Sequence, residues 1–530
     1  MPGLASRLLA VVLLCLATTV SHASQPNMIF VLVDDLRFDG MGFVNPVLET
    51  PHLDRMAAEG MYLPNAVVTT SLCSPSRATI LTGQTTRNHG IVDNNDNSEK
   101  GLVYFPSHLQ AAGYQTAFVG KWHMGRGNDN PRPGFDHWVS FKGQGAYHPT
   151  QGIPQKMIDQ GVRHQLNVNG SLVPQAGYIT DELTDYALQW LGSRKDATQD
   201  AGESKAPFFL YLSHKAVHAD FSPAERHARM YDDIEIPMAN LSAEMPKKGA
   251  GKPMWVTNQR NSWHGVDFPY HSDLSLQAYL KRYYATLTAV DDSMGRIFAW
   301  LKESGELENT VVVFFSDNGF LFGEHGLIDK RNAYEPSVRV PMLVHSAGRI
   351  PVGQVVDSRV RNIDLAPTFL DWAGAEAPPE FEGQSLVPLL EGKVAEKDWQ
   401  VQPFVYEYYW EWTFPQTPTT FAITEDEIKY IQYHGLWDLE ELYDLTADPE
   451  ENVNLIHDPA YVNELVTRRK ALYQALANRQ GGHAVPFSEK RAEGLRFRRR
   501  SGSETANFPK SYLRDTDADD LTNGFRPPSE

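Results

Sequence analysis

Four continuous apolar runs in the chain each end in a cluster of polar residues. They are NMIFVLV (27–33) before Asp34-Asp35, QTAFVG (115–120) before KWH, FFLYLS (208–213) before HKAVH, and TVVVFFS (310–316) before Asp317-Asn318. Unbroken apolar runs of this length are typical of strands that are buried on both faces of a sheet. Ligands of such sheets bind at the carboxyl ends of the strands, so we expect the four polar clusters to lie together.

Stretches with helical periodicity alternate with these runs, notably residues 50–60, 107–113 and 277–305. Alternating strands and helices predict an α/β fold, in which a large, mostly parallel mixed sheet carries helices on both faces. We assign residues 24–395 to this main domain. A stretch rich in Pro, Gly and Glu, at about 350–400, leads out of it.

The pattern of the chain changes after residue 396. Residues 418–434 suggest a hairpin, residues 441–455 a strand followed by a turn, and residues 460–480 a helix. These elements predict a small C-terminal α+β subdomain over residues 396–480, packed on the main domain. Residues 481–530 are polar, and we expect a solvated or loosely docked tail there.

Composition excludes some classes of function. The 530 residues are 42% hydrophobic and 22% charged, as in a globular protein, and the net charge is −18. A protein this acidic lacks the broad basic surface that general nucleic-acid binding needs, so we expect no nucleic-acid partner. An anion could bind only at a small, local cationic site.

Residues 1–23 have the pattern of a signal peptide. Arg7 is followed by a short apolar run, LLAVVLLCLATTV, and SHA places small residues before a cleavage point. We therefore expect an exported protein, periplasmic or secreted. No later apolar run reaches the roughly 18 residues of a membrane span, so no stable membrane insertion is expected.

Two strand ends offer oxygen ligands for a metal ion. Asp34-Asp35 and Asp317-Asn318 present carboxylate and amide oxygens, which favour Ca²⁺ or Mg²⁺ over zinc. The alternative is that one Asp of each pair caps a following turn. Three cationic residues, Arg77, Lys121 and Lys330, each lie within a few residues of a predicted strand end or helix start. Arg and Lys side chains can donate hydrogen bonds from several directions to a tetrahedral oxyanion, so these residues are candidates for an anion site.

Two histidines and one cysteine complete the candidate chemistry. His123 and His218 are suited to acid–base work near neutral pH. After removal of the leader with Cys15, Cys73 is the one remaining cysteine. With Ser74 as N-cap and a helix extending to Gly83, Cys73 lies at a helix N-terminus, where a thiolate is favoured. The alternative is a small buried apolar residue. A soft sulfur is a poor match for a hard cation, and the residue types alone do not resolve this mismatch.

The string CSPSRATILTG (73–83) resembles the signature of the type I, formylglycine-dependent sulfatases, C-x-P-x-R followed by L-T-G. The strings VDD, GKWHMG, SHKAVH, SDNGFLFGEHGLIDKRNAYEPSVRVP and ELYDLTADPEENVNL support the resemblance, in the expected order, over about residues 27–456. The resemblance implies the fold of alkaline phosphatase-like enzymes and hydrolysis of sulfate esters.

In that family the cysteine is oxidised to formylglycine (3-oxoalanine), whose hydrate presents oxygen to the metal and resolves the mismatch. The resemblance implies a maturation partner, either a formylglycine-generating or an anaerobic sulfatase-maturating enzyme. It implies one Ca²⁺ per chain, with these ligands: Asp34, Asp35, modified Cys73, Asp317 and Asn318.

The resemblance also implies roles for the remaining residues. Arg77 stabilises the hydrate, while Lys121, His218 and Lys330 bind the sulfate and help the leaving oxygen depart. One hydroxyl of the hydrate attacks sulfur, and His123 is the base that deprotonates the second, so that sulfate is expelled. His214 remains an alternative to His218.

The substrate is expected to be a sulfated polysaccharide or oligosaccharide. The segment YEYYWEWTFPQTPTTF (406–421) suggests an aromatic platform for sugar rings, or else the core of the small subdomain. The Gly-rich loop at residues 141–149 is a second candidate lining. The alternatives are an arylsulfatase acting on small esters, a phosphatase or phosphodiesterase of the same superfamily, and a non-catalytic glycan-binding protein.

Overall fold

A computed structural model describes most of the chain. The described residues are 25–95, 101–124, 128–153, 158–159, 161–199, 206–237, 251–257, 274–411, 414–434 and 439–477. The predicted signal peptide and the predicted polar tail lie outside these ranges. No described helix is both long enough and apolar enough to cross a membrane.

Eleven described strands form the large sheet. Their bounds are β1 Asn27–Val33, β2 Met61–Val67, β3 Gln115–Gly120, β4 His137–Ser140, β5 Gln165–Val168, β6 Ser171–Pro174, β7 Phe208–Ser213, β8 Thr310–Ser316, β9 Arg339–His345, β10 Gln354–Val355 and β11 Val360–Arg361. The order across the sheet is β10-β2-β9-β8-β1-β7-β3-β4-β5-β6, with β11 also paired to β2.

The centre of this sheet is parallel. β1 pairs in parallel with both β7 and β8, and β3 pairs in parallel with β7. Antiparallel pairs lie further out, including β8 with β9 and β4 with β5. The four apolar runs are strands β1, β3, β7 and β8, with the predicted bounds, so the mostly parallel mixed sheet is confirmed.

Eleven helices are described outside the short 3₁₀ turns. They are α1 Pro51–Glu59, α2 Cys73–Thr82, α3 Thr86–His89, α4 Phe105–Ala111, α5 Ile179–Gln199, α6 Met254–Thr257, α7 Leu276–Ser304, α8 Glu335–Val338, α9 Leu365–Trp372, α10 Val387–Leu390 and α11 Val462–Ala477. Helix α4 begins two residues before the predicted stretch, with Pro106 in its first turn, where a missing N–H costs nothing.

Two apolar clusters cover the two faces of the sheet. Alternate residues of β1 point to opposite faces: Ile29 belongs to the cluster that contains residues of α1, α5 and α7, and Phe30 to the cluster that contains residues of α2, α4 and α9. Helices on both faces confirm the doubly covered arrangement and explain why the central strands are apolar throughout.

A second sheet lies near the C-terminus. Its strands, β12 Phe404–Tyr408, β13 Thr419–Glu425, β14 Ile428–His434 and β15 Leu439–Asp444, are antiparallel in that order. β13 and β14 form the predicted hairpin, and apolar residues of α11 pack with this sheet. We call the four strands the C-terminal sheet. The domain boundary near residue 395 stays a prediction.

Candidate active site

Helix α2 places Cys73 at its first position. Leu72, in an extended conformation, is the N-cap residue, and no side chain caps the helix. The expectation that Ser74 is the N-cap is therefore wrong: the Ser74 hydroxyl donates instead to the backbone carbonyl of His123. The C-terminal end is as expected, since Gly83 has φ 62° and donates its N–H to the carbonyl of Thr79.

Cys73 is a buried free cysteine. Its Sγ lies 3.3 Å from Asp34 Oδ1 and 2.9 Å from Lys330 Nζ. Burial, and then the negative charge of Asp34, raise the pKa of the thiol to about 12. The expected thiolate is thus not favoured, because burial and the charge of Asp34 outweigh the neighbouring cations Lys121 and Lys330.

The two carboxylate pairs meet because β1 and β8 are adjacent and in register. Val33 pairs with Ser316, so the residues that follow both strands lie side by side. The N–H of Asp35 donates to Asp317 Oδ1 at 3.1 Å. Carboxylate oxygens of Asp34, Asp35 and Asp317 all lie within 4.8 Å of one another, and so do ligand atoms of Asp34, Cys73 and His218.

Asn318 extends this oxygen-rich cluster. Its Nδ2 donates to Asp35 Oδ1 at 2.6 Å, while its buried Oδ1 accepts no hydrogen bond from any described residue. A buried acceptor without a donor is costly, and a cation would satisfy it. The donor set consists of hard oxygens, so it fits a divalent cation of the Ca²⁺ or Mg²⁺ type.

The carboxylates differ in their protonation. Burial alone would raise the pKa of Asp34, but the positive charges of Lys121, Arg77 and Lys330 hold it well below its usual range. Burial raises the pKa of Asp35 against the effect of Lys330. For Asp317, burial and the charge of Asp34 raise the pKa to about 7. Crowded buried carboxylates of this kind are stabilised by added positive charge.

Three predicted cations surround this cluster. Arg77 donates from Nε to Asp317 Oδ2 at 2.8 Å and from Nη1 to the Lys121 carbonyl at 2.7 Å. Lys121 pairs with Asp34, and Lys330 pairs with Asp35. All three side chains are buried, so their charges are little screened by solvent.

The predicted histidines lie beside the cations. His218 Nε2 is 4.0 Å from Asp35 Oδ2, and His123 Nδ1 is 3.4 Å from the Ser74 hydroxyl. Burial first, and then the positive charge of Lys121, hold the pKa of both imidazoles well below the usual value. His214 is different, because its Nε2 faces Ser293 on α7 at 3.2 Å.

Two residues near the site were not assigned from sequence. The buried Lys215 lies 4.5 Å above the Tyr147 ring and donates to the Ala219 carbonyl at 3.3 Å. Burial, and then Lys121, lower the pKa of Lys215 to about 8. Its position within HKAVH, next to His214 and close to His218, is a signal that could have identified it. Tyr147 belongs to the Gly-rich loop, and its hydroxyl donates to the His218 carbonyl at 2.6 Å.

The tyrosines of the aromatic segment, which begins within β12, belong to the apolar core. Tyr406, Tyr408 and Tyr409 are 0% exposed, whereas Trp410 is 39% exposed. Buried rings cannot stack on a sugar, so the interpretation of the tyrosines as a carbohydrate platform is wrong and the alternative, a core role, is correct. Residues 412 and 413 lie outside the described part of the chain.

The large, mostly parallel sheet with helices on both faces is the alkaline phosphatase-like fold. The family model described as sulfatase matches residues 26–375, and that of the N-sulphoglucosamine sulphohydrolase C-terminal region matches residues 323–478. The chain belongs to the sulfatase family, and the protein is a sulfuric ester hydrolase.

Individual relatives agree with this assignment. An N-acetylglucosamine-6-O-sulfatase of Bacteroides thetaiotaomicron is 31% identical over 88% of each chain. The human N-acetylglucosamine-6-sulfatase is 29% identical over 81% of each chain. A structure solved with its substrate D-glucosamine-2-N,6-O-disulfate matches with a TM-score of 0.73 and 29% identity, over 85% of this chain and 97% of the other.

Proposed function

We propose that the protein hydrolyses sulfate esters of glucosamine-containing polysaccharides or oligosaccharides at the site around Cys73. The observation that carries the proposal is the convergence on one sulfur atom of Asp34 at 3.3 Å and Lys330 at 2.9 Å, at a helix N-terminus beside three carboxylates. This arrangement places a nucleophile position next to a cation site and to buried positive charges.

We assign the metal to the oxygen cluster. Asp34, Asp35, Asp317 and Asn318, with position 73, would hold Ca²⁺, which supplies positive charge to sulfuryl oxygens. Oxidation of Cys73 to formylglycine by a maturating enzyme would supply an oxygen nucleophile where the thiol is soft and protonated. The unpaired Asn318 Oδ1 supports the metal assignment.

The side chains around this centre have separate roles in the proposal. Arg77 is held by Asp317 and by the Lys121 carbonyl, and it stabilises the group at position 73. Lys121 and Lys330 bind sulfate oxygens, and His218 with Lys330 assists the leaving oxygen. His123, whose Nδ1 lies 3.4 Å from the Ser74 hydroxyl, is the base that accepts a proton.

The substrate class comes from the relatives. Two of them are named for 6-sulfated N-acetylglucosamine, and the structural neighbour holds a glucosamine disulfate. We infer a 6-O-sulfated glucosamine unit for this chain. The predicted signal peptide supports export to a compartment where sulfated glycans are degraded.

The mass of the peptide that contains Cys73 tests the chemistry. We expect a loss of about 18 mass units relative to cysteine when the protein comes from a host with a maturating enzyme. Cys73→Ala should abolish turnover and leave the thermal midpoint almost unchanged, because little volume is removed. Fully active protein with an unmodified thiol would contradict the mechanism.

A substrate panel tests the specificity. We expect release of sulfate from glucosamine 6-sulfate units, with weaker activity on N-sulfated and 3-O-sulfated sugars and on aryl sulfates. A phosphate monoester of the same sugar serves as the control for general esterase activity. Activity confined to aryl sulfates would overturn the carbohydrate assignment and leave the sulfatase assignment intact.

A further inference from the structure

The five residues after Lys330, residues 331–335, contact the C-terminal part of the chain repeatedly. Four of the five residues form hydrogen bonds with the C-terminal part of the chain, each with a different partner there. Arg331 Nε donates to Glu411 Oε1 at 2.8 Å, and the Ala333 carbonyl accepts from Lys429 Nζ at 2.8 Å. The Tyr334 hydroxyl donates to Glu441 Oε2 at 2.9 Å, and the Glu335 N–H donates to Glu451 Oε2 at 2.7 Å. We call residues 331–335 the post-lysine segment.

Glu441 is the centre of one of these contacts. This fully buried carboxylate on β15 accepts hydrogen bonds from three tyrosine hydroxyls, those of Tyr334, Tyr433 and Tyr443. Lys252 Nζ lies 3.6 Å from it and 4.0 Å above the Tyr334 ring. Of the three tyrosines, Tyr334 alone comes from the main domain, so it joins the post-lysine segment to the C-terminal sheet.

Lys429 is the centre of a second contact. It is a buried residue of β14, and its ammonium pairs with Glu335 at 2.8 Å and with Glu451 at 2.7 Å while it donates to the Ala333 carbonyl. Charged hydrogen bonds in a dry interior are strong and directional. They fix the backbone of the post-lysine segment as well as its side chains.

The link from this segment to Lys330 is short. The Asn332 N–H donates to the Lys330 carbonyl at 2.9 Å, and the Ser337 hydroxyl donates to the same carbonyl. The Lys330 ammonium then extends to Asp35 and to Cys73 Sγ. The Tyr334 N–H donates to Asn332 Oδ1 at 3.0 Å, so we expect a displacement of Tyr334 to reach the Lys330 backbone through this hydrogen-bonded turn.

We propose that the C-terminal sheet positions Lys330 for catalysis, and that Tyr334 is a positioning residue that transmits the placement from Glu441. The inference rests on the proposed role of Lys330 at the sulfate and the leaving oxygen. Attraction between charges changes slowly with distance, whereas a hydrogen bond to a leaving oxygen requires alignment. If the Lys330 ammonium is displaced, its attraction to the sulfate should change little, but its hydrogen bond to the leaving oxygen should weaken. We therefore expect kcat to fall more than KM changes.

A matched pair of variants tests the proposal. Tyr334→Phe and Tyr433→Phe each remove one hydroxyl from the same carboxylate with almost no change in volume, but only Tyr334 belongs to the post-lysine segment. We expect Tyr334→Phe to lower kcat about tenfold with KM within about twofold. Tyr433→Phe should keep kcat within about twofold, and both variants should lower the thermal midpoint by a similar amount.

Lys330→Met separates the possible failures. If Lys330→Met abolishes turnover while the two Tyr→Phe variants have equal kcat, the positioning role of Tyr334 is wrong and the proposed function stands. If Lys330→Met retains normal turnover, the proposed role of Lys330 itself is wrong. If Tyr334→Phe fails to fold while Tyr433→Phe folds, Tyr334→His, which keeps a polar ring near Glu441, provides the kinetic comparison.

Discussion

At the residue scale, Asp317 shows how the site is prepared for a cation. One carboxylate oxygen accepts from Arg77 and the other from the N–H of Asp35, and burial with the charge of Asp34 raises its pKa to about 7. The negative charge at this position is costly without a cation. Positive charge from Arg77, and from the proposed metal, favours the ionised form of the carboxylate.

Asp317→Asn should weaken Ca²⁺ binding without unfolding the metal-free protein, because Asn keeps the shape and removes a costly charge. We expect the Ca²⁺-dependent rise in thermal stability to fall by at least about 1.4 kcal/mol, equivalent to a tenfold weaker affinity. Thermal midpoints measured against Ca²⁺ concentration provide the check. Asp364→Asn, which also removes a buried carboxylate paired with an arginine, is the control and should keep the Ca²⁺ response.

His89 gives a pH dependence that is separate from the active site. Burial lowers its pKa to about 3, and its Nε2 lies 3.1 Å from the Thr79 hydroxyl on α2. In the unfolded chain the pKa is about 6.5. Below that pH the unfolded state binds a proton that the folded state does not, so stability decreases as the pH falls from about 6.5 towards 3.

His89→Gln should reduce this acid sensitivity. One such histidine changes the free energy of unfolding by at most about 1.4 kcal/mol for each pH unit below its pKa in the unfolded chain. We expect the difference in the free energy of unfolding between pH 7.5 and pH 5 to be smaller in the variant, as measured by urea unfolding. An unchanged difference would show that His89 is protonated in the folded protein. His434→Gln, an exposed position, is the control and should retain the slope.

At the element scale, the glycine that ends helix α2 at its C-terminus contributes to the stability of the fold. Gly83 has φ 62°, and an added Cβ would lie 2.7 Å from the Phe381 ring. Gly90 ends α3 with φ 75°, but within the described part of the chain no atom outside its immediate neighbours and its own helix lies within 4 Å of the position that a Cβ would take. Both positions favour glycine for conformational reasons, and only Gly83 is also restricted by packing.

Gly83→Ala should therefore destabilise the protein more than Gly90→Ala. The strain of a left-handed Ala costs about 1 kcal/mol at either site. The clash with Phe381 should add about 1–3 kcal/mol at position 83, because this half-buried ring packs against an apolar cluster that restricts its movement. Chemical unfolding of both variants measures the difference. Equal losses would mean that the Phe381 ring moves aside freely.

Sequence patterns predicted the central strands to the residue, because a strand buried on both faces must be apolar throughout. Helix ends were predicted less accurately than strand ends: α4 begins two residues before the predicted stretch, and the N-cap of α2 is Leu72 and not Ser74. Ser74 has the identity of an N-cap residue, but its hydroxyl contacts the backbone of His123, which is distant in sequence. Local capping preferences amount to about 1 kcal/mol, so a tertiary hydrogen bond can override them.

At the scale of the whole molecule, the C-terminal sheet and the site are structurally continuous. Residues of β12 hydrogen-bond to the segment that leads into α2: the Glu407 N–H donates to the Thr69 carbonyl at 2.9 Å, and the Thr70 hydroxyl donates to the Glu407 carbonyl at 2.6 Å. One apolar cluster includes Leu72, next to Cys73, together with Tyr406 and Tyr408 of β12. The main domain and the C-terminal sheet therefore share a core.

A shared core predicts one cooperative unfolding transition for both parts. We expect calorimetry to give one peak whose calorimetric and van't Hoff enthalpies agree. Because irreversible unfolding can distort such a comparison, urea unfolding followed by two spectroscopic probes should be measured as well, with coincident curves expected. Two resolved transitions would mean that the sheet unfolds independently and that the shared cluster contributes little.

The sequence by itself determined the four central strands, the polar residues that follow them and the family, because these depend on local apolar runs and on a short contiguous signature. Each predicted site residue from Asp34 to Lys330 lies at the edge where parallel strands end. The placement of these residues relative to one another was decided by the tertiary structure, which sets the register of β1 against β8.

Tertiary structure alone also decided the burial of individual groups. It buries the Cys73 thiol and the tyrosines of the aromatic segment, and it places Tyr334 on a carboxylate more than a hundred residues away. The physical reason is that desolvation and long-range hydrogen bonding depend on which surfaces pack together. A linear pattern records the kind of residue at a position, whereas packing determines how much water and which charges surround it.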